Sequence, residues 1–192
     1  MTSFIDPQTV EHYVTFFDHR FLLQGLALYD SLQRNQSESL LWVLCLDPIV
    51  EDQLRQLKLP RLVPLALKSF ETPALLSARE NRSRVEYIFT LTPFTFDFVF
   101  SLDRSVRRVT YVDADMLFFK DPWPLFESFH KSGRSVLITE HGYAPEYSSL
   151  LTDFGRFCVQ FLTVRRDSDG LRVIQQWQSA CLESCSIAAE DR

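Results

Sequence analysis

Apolar residues in the first half of the chain follow two alternating patterns. Residues 12–17 and 40–46 are continuous runs rich in β-forming side chains, and each predicts a strand. The second run is apolar throughout, which is typical of a strand buried on both faces of a sheet. Between them the apolar residues recur at the spacing of a helix face, which predicts a helix over residues 21–34: Leu22, Leu26, Tyr29 and Leu32.

The same patterns continue to the end of the chain. Further strands are predicted at residues 61–67, 107–113, 135–139 and 157–164. Helices are predicted at residues 48–58, in a broken stretch over 69–102, and at 171–185. An N-cap residue followed by proline marks three helix starts, at Asp47-Pro48, Thr92-Pro93 and Asp121-Pro122.

Strands that alternate with helices predict an α/β fold with a mostly parallel central sheet flanked by helices. In such sheets ligands bind outside the carboxyl ends of the strands. Acids stand at the predicted carboxyl ends of three strands: Asp18, Asp47 and the pair Asp113 and Asp115. We therefore expect the functional site at this edge.

Composition narrows the class of ligand. The 192 residues contain only five glycines, and none are spaced to form GxGxxG or GxxxxGK, which excludes a glycine-cradled dinucleotide or Walker-type site. The formal net charge of -5 argues against binding nucleic acid through its phosphates. At this length a single domain is expected, over residues 1–192.

The sequence also bears on compartment. No apolar run approaches the ~18 residues of a membrane span, and residues 1–8 lack the basic start and apolar stretch of a secretory signal. The four cysteines form no CxxC pattern, so we interpret them as reduced thiols. Together these features predict a cytoplasmic protein without a transmembrane segment.

The pair Asp113 and Asp115 is the most informative local feature. It ends an apolar strand, where unpaired carboxylates are costly unless something binds them. Two carboxylates two residues apart on an extended chain point to the same side, and such oxygens suit Mn²⁺ or Mg²⁺ bound to a substrate phosphate. Asp167 and Asp169 have the same spacing, but they lie in a polar stretch typical of an exposed turn.

The segment VTYVDADMLFFKDP, which carries this pair, resembles the DxD segment of GT-A glycosyltransferases, specifically the family-8-like enzymes that use nucleotide sugars. Three other segments are similar to this family: HYVTFFDHRFLLQGLALYDSLQRN, EYIFTLTPF and GRFCVQFLTVRRDSDGLRVIQQW. The resemblance implies a GT-A-like, Rossmann-like fold. It also implies transfer of a sugar, with retention, from a UDP-sugar donor to a hydroxyl acceptor.

The resemblance implies roles for particular residues. Asp113 and Asp115 would hold Mn²⁺ against the diphosphate, with Asp115 the more direct ligand and Ala114 between them at the nucleotide. Arg82 or Arg84 would reach the diphosphate. A third group would frame the nucleoside, with Asp18 accepting from the uracil N–H: Thr15, Phe17 and Asp18.

The sequence departs from the family in its last third. Cys158 stands where the family usually has Asn. A D-Q segment and a later metal-binding histidine of the family have no counterpart before Arg192, so the resemblance implies that the C-terminal part of the domain is missing. His141 and Glu140 are candidates to complete the site, and no catalytic residue is assigned.

Two other functions remain open from the sequence. The chain could be a non-catalytic UDP-binding remnant of such an enzyme. It could also be a haloacid-dehalogenase-like phosphatase, in which the first Asp of a DxD pair is the nucleophile. Leu117 and the position of the pair past the middle of the chain argue against the phosphatase.

Overall fold

A six-stranded sheet forms the centre of the computed structural model, which describes residues 10–186 apart from the side chain of residue 153. The strands lie in the order β3-β2-β1-β4-β6-β5. Their bounds in chain order are β1 Glu11–Phe17, β2 Ser39–Cys45, β3 Leu62–Ala66, β4 Arg108–Val112, β5 Val136–Glu140 and β6 Phe157–Arg165.

The sheet is mostly parallel, as predicted. β1 pairs in parallel with β2 on one side and with β4 on the other, and β2 pairs in parallel with β3. β6 is antiparallel to both of its neighbours, β4 and β5. The carboxyl ends of β1, β2, β3, β4 and β5 therefore share one edge of the sheet with the amino end of β6.

Nine α-helices and two short 3-10 helices, His19–Phe21 and Pro145–Tyr147, connect the strands within residues 10–186. The first α-helices are α1 Leu22–Asn35, α2 Pro48–Leu57, α3 Leu67–Phe70 and α4 Pro73–Glu80. The remaining ones are α5 Arg84–Leu91, α6 Phe94–Leu102, α7 Trp123–Lys131, α8 Leu150–Phe154 and α9 Ser168–Glu183.

Helices cover both faces of the sheet because successive side chains of β1 point in opposite directions. Tyr13 and Phe17 pack with residues of α1, α2 and α7 in one buried cluster. Val14 packs on the other face, with α6 and α9. A third cluster, formed by α3, α4 and α5, extends this second layer over β2. The predicted α/β architecture is confirmed.

Two of the three predicted cap-then-proline starts hold a side-chain hydrogen bond. Asp47 accepts from Val50 N at 2.9 Å, and Asp121 accepts from Trp123 N just before α7. The prediction for Thr92 is wrong in detail: α6 begins after Pro93, but the Thr92 backbone is helical and its side chain does not cap the helix. Thr72-Pro73 has the same local sequence, although it is not among the predicted starts. The side chain of Thr72 caps α4 by accepting from Leu75 N.

Asp167 corrects another expectation. It does not lie in an exposed turn but is the N-cap of α9, accepting from Gly170 N at 2.8 Å. The helix begins at Ser168, three residues before the predicted start, because this cap satisfies a backbone donor of the first turn. The second DxD-spaced pair is therefore a structural element.

The four cysteines are free. Burial raises the pKa of Cys45 and of Cys181 to about 12, so both remain thiols at neutral pH. They are packing residues rather than reactive ones.

No single helix among residues 10–186 has the length and apolar composition needed to cross a membrane. α5 and α6 have this length and composition only when they are taken together, and the two helices are bent by 49° relative to each other. Residues 1–8, for which the absence of a secretory signal was predicted, and residues 187–192 lie outside the described part of the chain.

We expect Asp167→Ala to lower the free energy of unfolding by about 1 kcal/mol, because the first turn of α9 loses its capping acceptor. Urea denaturation would measure the change. Asp30→Ala is the matched control, since it removes a carboxylate from an exposed i,i+4 pair with Arg34 and should change stability by less than about 0.5 kcal/mol. Equal effects of the two substitutions would contradict the capping role.

Candidate functional site

A cavity of about 250 Å³ opens at the carboxyl ends of β1 and β4. From β1 the chain proceeds outward to β2 and β3, and it then returns to add β4 on the other side of β1. This reversal makes β1 and β4 the topological switch point, where open α/β sheets form a ligand crevice. The lining residues come from the ends of β1, β2 and β4, from the first 3-10 helix and from α5: Phe16, Phe17, Asp18, Phe21, Leu46, Ile88, Phe89, Tyr111, Asp113, Ala114 and Asp115.

Asp113 and Asp115 both line this cavity, but not in the predicted way. β4 ends at Val112, and Met116 N donates to Asp113 O at 3.2 Å. The two acids therefore lie in a turn rather than on an extended chain. Both residues nevertheless line the cavity. The turn at the edge of the sheet, rather than the alternation of side chains along an extended strand, brings them there.

The carboxylate of Asp113 has a hydrogen bond from within the strand: the hydroxyl of Tyr111 donates to Asp113 Oδ1 at 2.8 Å. Burial raises the pKa of Asp113 above its ordinary value. The Tyr111 hydrogen bond opposes this rise, and the nearby negative charge of Asp115 adds to it. An ionised Asp113 is therefore unfavourable in the folded protein unless a cation compensates it.

The loop that follows the pair is fixed to α1. Phe118 N donates to Ser31 Oγ at 3.1 Å, and Asn35 Nδ2 donates to Phe118 O at 2.8 Å. The Phe118 ring packs edge-on against Tyr13, with the ring centroids 5.7 Å apart. These contacts fix the chain three residues beyond Asp115, so the turn that carries the two acids is anchored on both sides.

Asp18 lies across the cavity at the end of β1 and is only 8% exposed. Its Oδ1 accepts from Arg20 N at 3.0 Å, which caps the short 3-10 helix. Its Oδ2 accepts from Arg84 at 2.6 Å, although the Arg84 side chain is 62% exposed. A carboxylate offers about four acceptor positions, so Asp18 retains acceptor capacity for a ligand.

Phe17 forms part of the cavity wall because α1 has a glycine beside it. A Cβ on Gly25 would lie 2.4 Å from two atoms of the Phe17 ring. The ring therefore occupies the space that any larger residue at position 25 would take. This contact places the first turns of α1 close to the end of β1.

The structure places other predicted residues away from the cavity. Thr15 is fully buried in β1, behind the cavity wall, and its hydroxyl has no hydrogen-bond partner. Arg82 donates to Thr90 Oγ1 and to Leu182 O, the latter at 2.7 Å, so it fastens the last turn of α9 and does not reach the site. Arg82 is not among the residues that line the cavity, so of the two candidate arginines only Arg84 contacts a lining residue, Asp18.

The residues at the end of β5 lie on the same edge of the sheet but outside the cavity. Glu140 pairs with Arg156 at 2.5 Å, and the ring of His141 stacks on that of Tyr143 with centroids 4.7 Å apart. Cys158 lies opposite Thr139 in the ladder between β5 and β6. Within residues 10–186 no three or more His, Cys, Asp or Glu side chains converge on a common metal position.

Sequence reasoning named Phe17 but missed the other aromatic residues of the site. Phe21 and Phe89 line the cavity while 47% and 53% exposed, respectively. Phe89 belongs to the EYIFTLTPF segment, which was recognised as similar to the family without a role for its residues. Tyr111 stands two residues before Asp113, and the period of a strand could have placed both on the same face.

The cavity has an unbalanced charge. Three of its lining residues are carboxylates, and none of the lining residues is a lysine or arginine. One of the three carboxylates has a basic partner from outside the lining: Asp18 forms an ion pair with Arg84. The site as built attracts cations and repels an anion that arrives alone.

No protein-family model matches the chain. The "Uncharacterized protein YfnF" of Bacillus subtilis (strain 168) is 30% identical over 182 residues, which cover 92% of this chain and 59% of the relative. The "Uncharacterized protein YfnD" of the same organism is 26% identical over 176 residues, covering 92% and 56%. The chain thus spans less than three fifths of the length of these curated relatives.

Solved structures with the same architecture identify the fold. The glycosyltransferase GlyE of Streptococcus pneumoniae TIGR4 matches with a TM-score of 0.57 at 17% identity, covering 95% of this chain and 41% of that one. Mouse xyloside xylosyltransferase 1 matches with a TM-score of 0.55 at 11% identity, covering 93% and 78%. The predicted GT-A-like, Rossmann-like fold is confirmed.

The fold alone does not decide the reaction. A CMP-2-keto-3-deoxy-manno-octonic acid synthetase in complex with CTP also matches, with a TM-score of 0.50 at 12% identity over 90% of this chain and 82% of that one. The function therefore has to be argued from the side chains of the cavity.

We expect metal-free Asp113→Asn to have a higher melting temperature than the wild type at pH 7.5. Because the pKa of Asp113 is raised in the folded state, its ionised form destabilises the fold above that pKa. The neutral amide removes this penalty and still accepts from Tyr111. The difference should shrink as the pH falls through the folded pKa toward the unfolded value, since the wild-type carboxyl is then protonated as well.

Calorimetric melting with a chelator present would measure this difference. Asp30→Asn, in an exposed pair on α1, serves as the control and should show no such pH-dependent gain. A lower melting temperature for Asp113→Asn at pH 7.5 would show that Asp113 stabilises the fold and contradict the interpretation.

Proposed function

We propose that the protein is a metal-dependent glycosyltransferase that transfers a sugar from a UDP-sugar donor to a hydroxyl acceptor. The observation that carries the proposal is the turn with Asp113 and Asp115, which faces a cavity at the switch point of a GT-A-like sheet. A diphosphate can enter a cavity lined by three carboxylates only if a cation accompanies it. The glycosyltransferase GlyE and the mouse xylosyltransferase, which share this fold, support the same reaction class.

The donor atoms of the pair fit Mn²⁺ or Mg²⁺, which take carboxylate oxygens and keep several waters. Asp113 and Asp115 would hold the ion, and a bound ion stabilises the negative charge that develops on a departing diphosphate. Tyr111 donates a hydrogen bond to Asp113, and the loop that follows Asp115 is anchored to α1 at Phe118. The third metal ligand is not assigned.

Asp18 is proposed to bind the base of the nucleotide. Its carboxylate lines the cavity and has acceptor capacity left beyond Arg20 N and Arg84. Uracil offers an N3–H donor, whereas cytosine has only a lone pair at that position. The exposed rings of Phe21 and Phe89 give the base an apolar surface to contact. Arg84 is 62% exposed and has further N–H donors for a phosphate or ribose oxygen.

The phosphatase alternative has less support. The acid pair follows the fourth strand along the chain, whereas in haloacid-dehalogenase-like enzymes the nucleophile usually lies near the N-terminus. The fold is GT-A-like. Release of phosphate from p-nitrophenyl phosphate would nevertheless favour the phosphatase, because a glycosyltransferase does not catalyse it.

We expect UDP to bind in the presence of Mn²⁺ and to lose at least about tenfold in affinity without it or in Asp115→Ala, because the ion offsets the repulsion between the carboxylates and the diphosphate. Isothermal titration calorimetry under the four conditions would measure this. Equal affinity in all four would exclude the metal role.

The matched control is Asp169→Ala, which removes the second acid of the other DxD-spaced pair. Asp169 is exposed and pairs with Arg172, so UDP affinity should not change. Asp167 is unsuitable as a control because it caps α9. Release of UDP from UDP-glucose or UDP-galactose would then separate an enzyme from a non-catalytic remnant that binds UDP.

We expect Asp18→Ala to narrow the preference for UDP over CDP by at least about tenfold, since a hydrogen bond to a charged group contributes about 1.5–3 kcal/mol. Competition calorimetry in Mn²⁺ would measure both affinities. Arg84→Gln is the control, because it breaks the ion pair but leaves the Asp18 carboxylate in the cavity. An unchanged preference in Asp18→Ala would mean that Asp18 only orders the loop.

A further inference from the structure

Tyr111 has contacts that packing alone does not require. Its ring lies against Phe16, with centroids 5.4 Å apart, and the residue is 4% exposed. A buried tyrosine is costly unless its hydroxyl finds a partner. This hydroxyl donates to Asp113 Oδ1 at 2.8 Å, and the side chain of Thr92 lies close to it.

Thr92 is also buried and lies at the junction of α5 and α6. The ring of Tyr111 packs in the buried cluster that residues of α6 and α9 form against the sheet, so the core holds its hydroxyl beside Asp113.

We infer that Tyr111 is a positioning residue that fixes the Asp113 carboxylate for binding a small divalent cation. The inference rests on the metal-dependent function proposed above. The hydroxyl binds one carboxylate oxygen, which leaves the other to face the cavity in a single orientation. Groups that orient a metal-binding side chain in this way typically change metal affinity by about 10- to 100-fold when removed.

The ion that depends most on this orientation is the one with the strictest geometry. Mg²⁺ requires near-ideal octahedral coordination, whereas Ca²⁺ accepts variable numbers of oxygens at longer distances. A carboxylate that is free to rotate therefore harms Mg²⁺ binding more than Ca²⁺ binding. This difference separates a positioning role from a general loss of structure, which would weaken both ions alike.

The test is Tyr111→Phe, which removes the hydroxyl and keeps the ring against Phe16. Binding of Mn²⁺, Mg²⁺ and Ca²⁺, each added alone, would be measured by calorimetry, with Mn²⁺ also followed by electron paramagnetic resonance. We expect affinity for Mn²⁺ and Mg²⁺ to fall about 10- to 100-fold and affinity for Ca²⁺ to fall by a clearly smaller factor. Thr92→Val should act in the same direction with a smaller effect.

Tyr87→Phe is the matched control. Tyr87 is also buried, and its hydroxyl donates to Glu71 Oε1 at 2.7 Å; neither residue lines the cavity. It therefore loses the same kind of tyrosine–carboxylate hydrogen bond and should bind all three ions as the wild type does. Circular dichroism would check that each variant is folded, and Thr92→Val decides the matter if Tyr111→Phe does not fold.

The outcomes separate this inference from the proposed function. If the wild type binds neither Mn²⁺ nor Mg²⁺, the metal-dependent function is overturned, and the inference with it. If the wild type binds them and Tyr111→Phe binds them equally well, the inference alone is overturned. An equal loss for Mg²⁺ and Ca²⁺ also overturns it, because that result indicates a structural role.

Discussion

The parallel pairing of β1 with β4 is the interaction on which the site depends. The register aligns Tyr13 with Thr110 and Val14 with Tyr111, so β4, which ends at Val112, stops two residues short of the end of β1 at Phe17. β1 is followed by a 3-10 helix and α1, and β4 by the acid-bearing turn. The cavity opens where these two connections begin, at the switch point of the sheet.

The acidic lining of this cavity lowers the stability of the folded protein. Burial and the neighbouring Asp115 raise the pKa of Asp113, and the protein offsets this with local hydrogen bonds rather than with a buried base. Tyr111 supports the carboxylate, while Ser31 and Asn35 hold the loop beyond it. An arginine beside Asp113 would stabilise the protein without a bound ion, but its side chain would occupy the place where a cation is expected to bind.

Sequence patterns predicted the strands, most helices and the edge that carries the site, because these depend on periodicity and on local capping chemistry. They failed where a residue's role depends on tertiary contacts. Thr92 has the local sequence of a cap, yet its side chain is buried and does not cap α6. Arg82 and Arg84 lie two residues apart, and only their surroundings determine that one fastens α9 while the other pairs with Asp18. The rings of Phe21 and Phe89 belong to the cavity through the packing of separate elements.

The two DxD-spaced pairs show how far a short pattern can be interpreted. Asp167 and Asp169 start a helix, where Gly170 N donates to the first carboxylate and the exposed second carboxylate pairs with Arg172. Asp113 and Asp115 start no helix, and they share a cavity with a third acid. The carboxylates are chemically identical and equally spaced. What distinguishes them is whether the fold supplies enough hydrogen-bond donors for their charge, and a pair left short of donors at a switch point is the one to which a cation is proposed to bind.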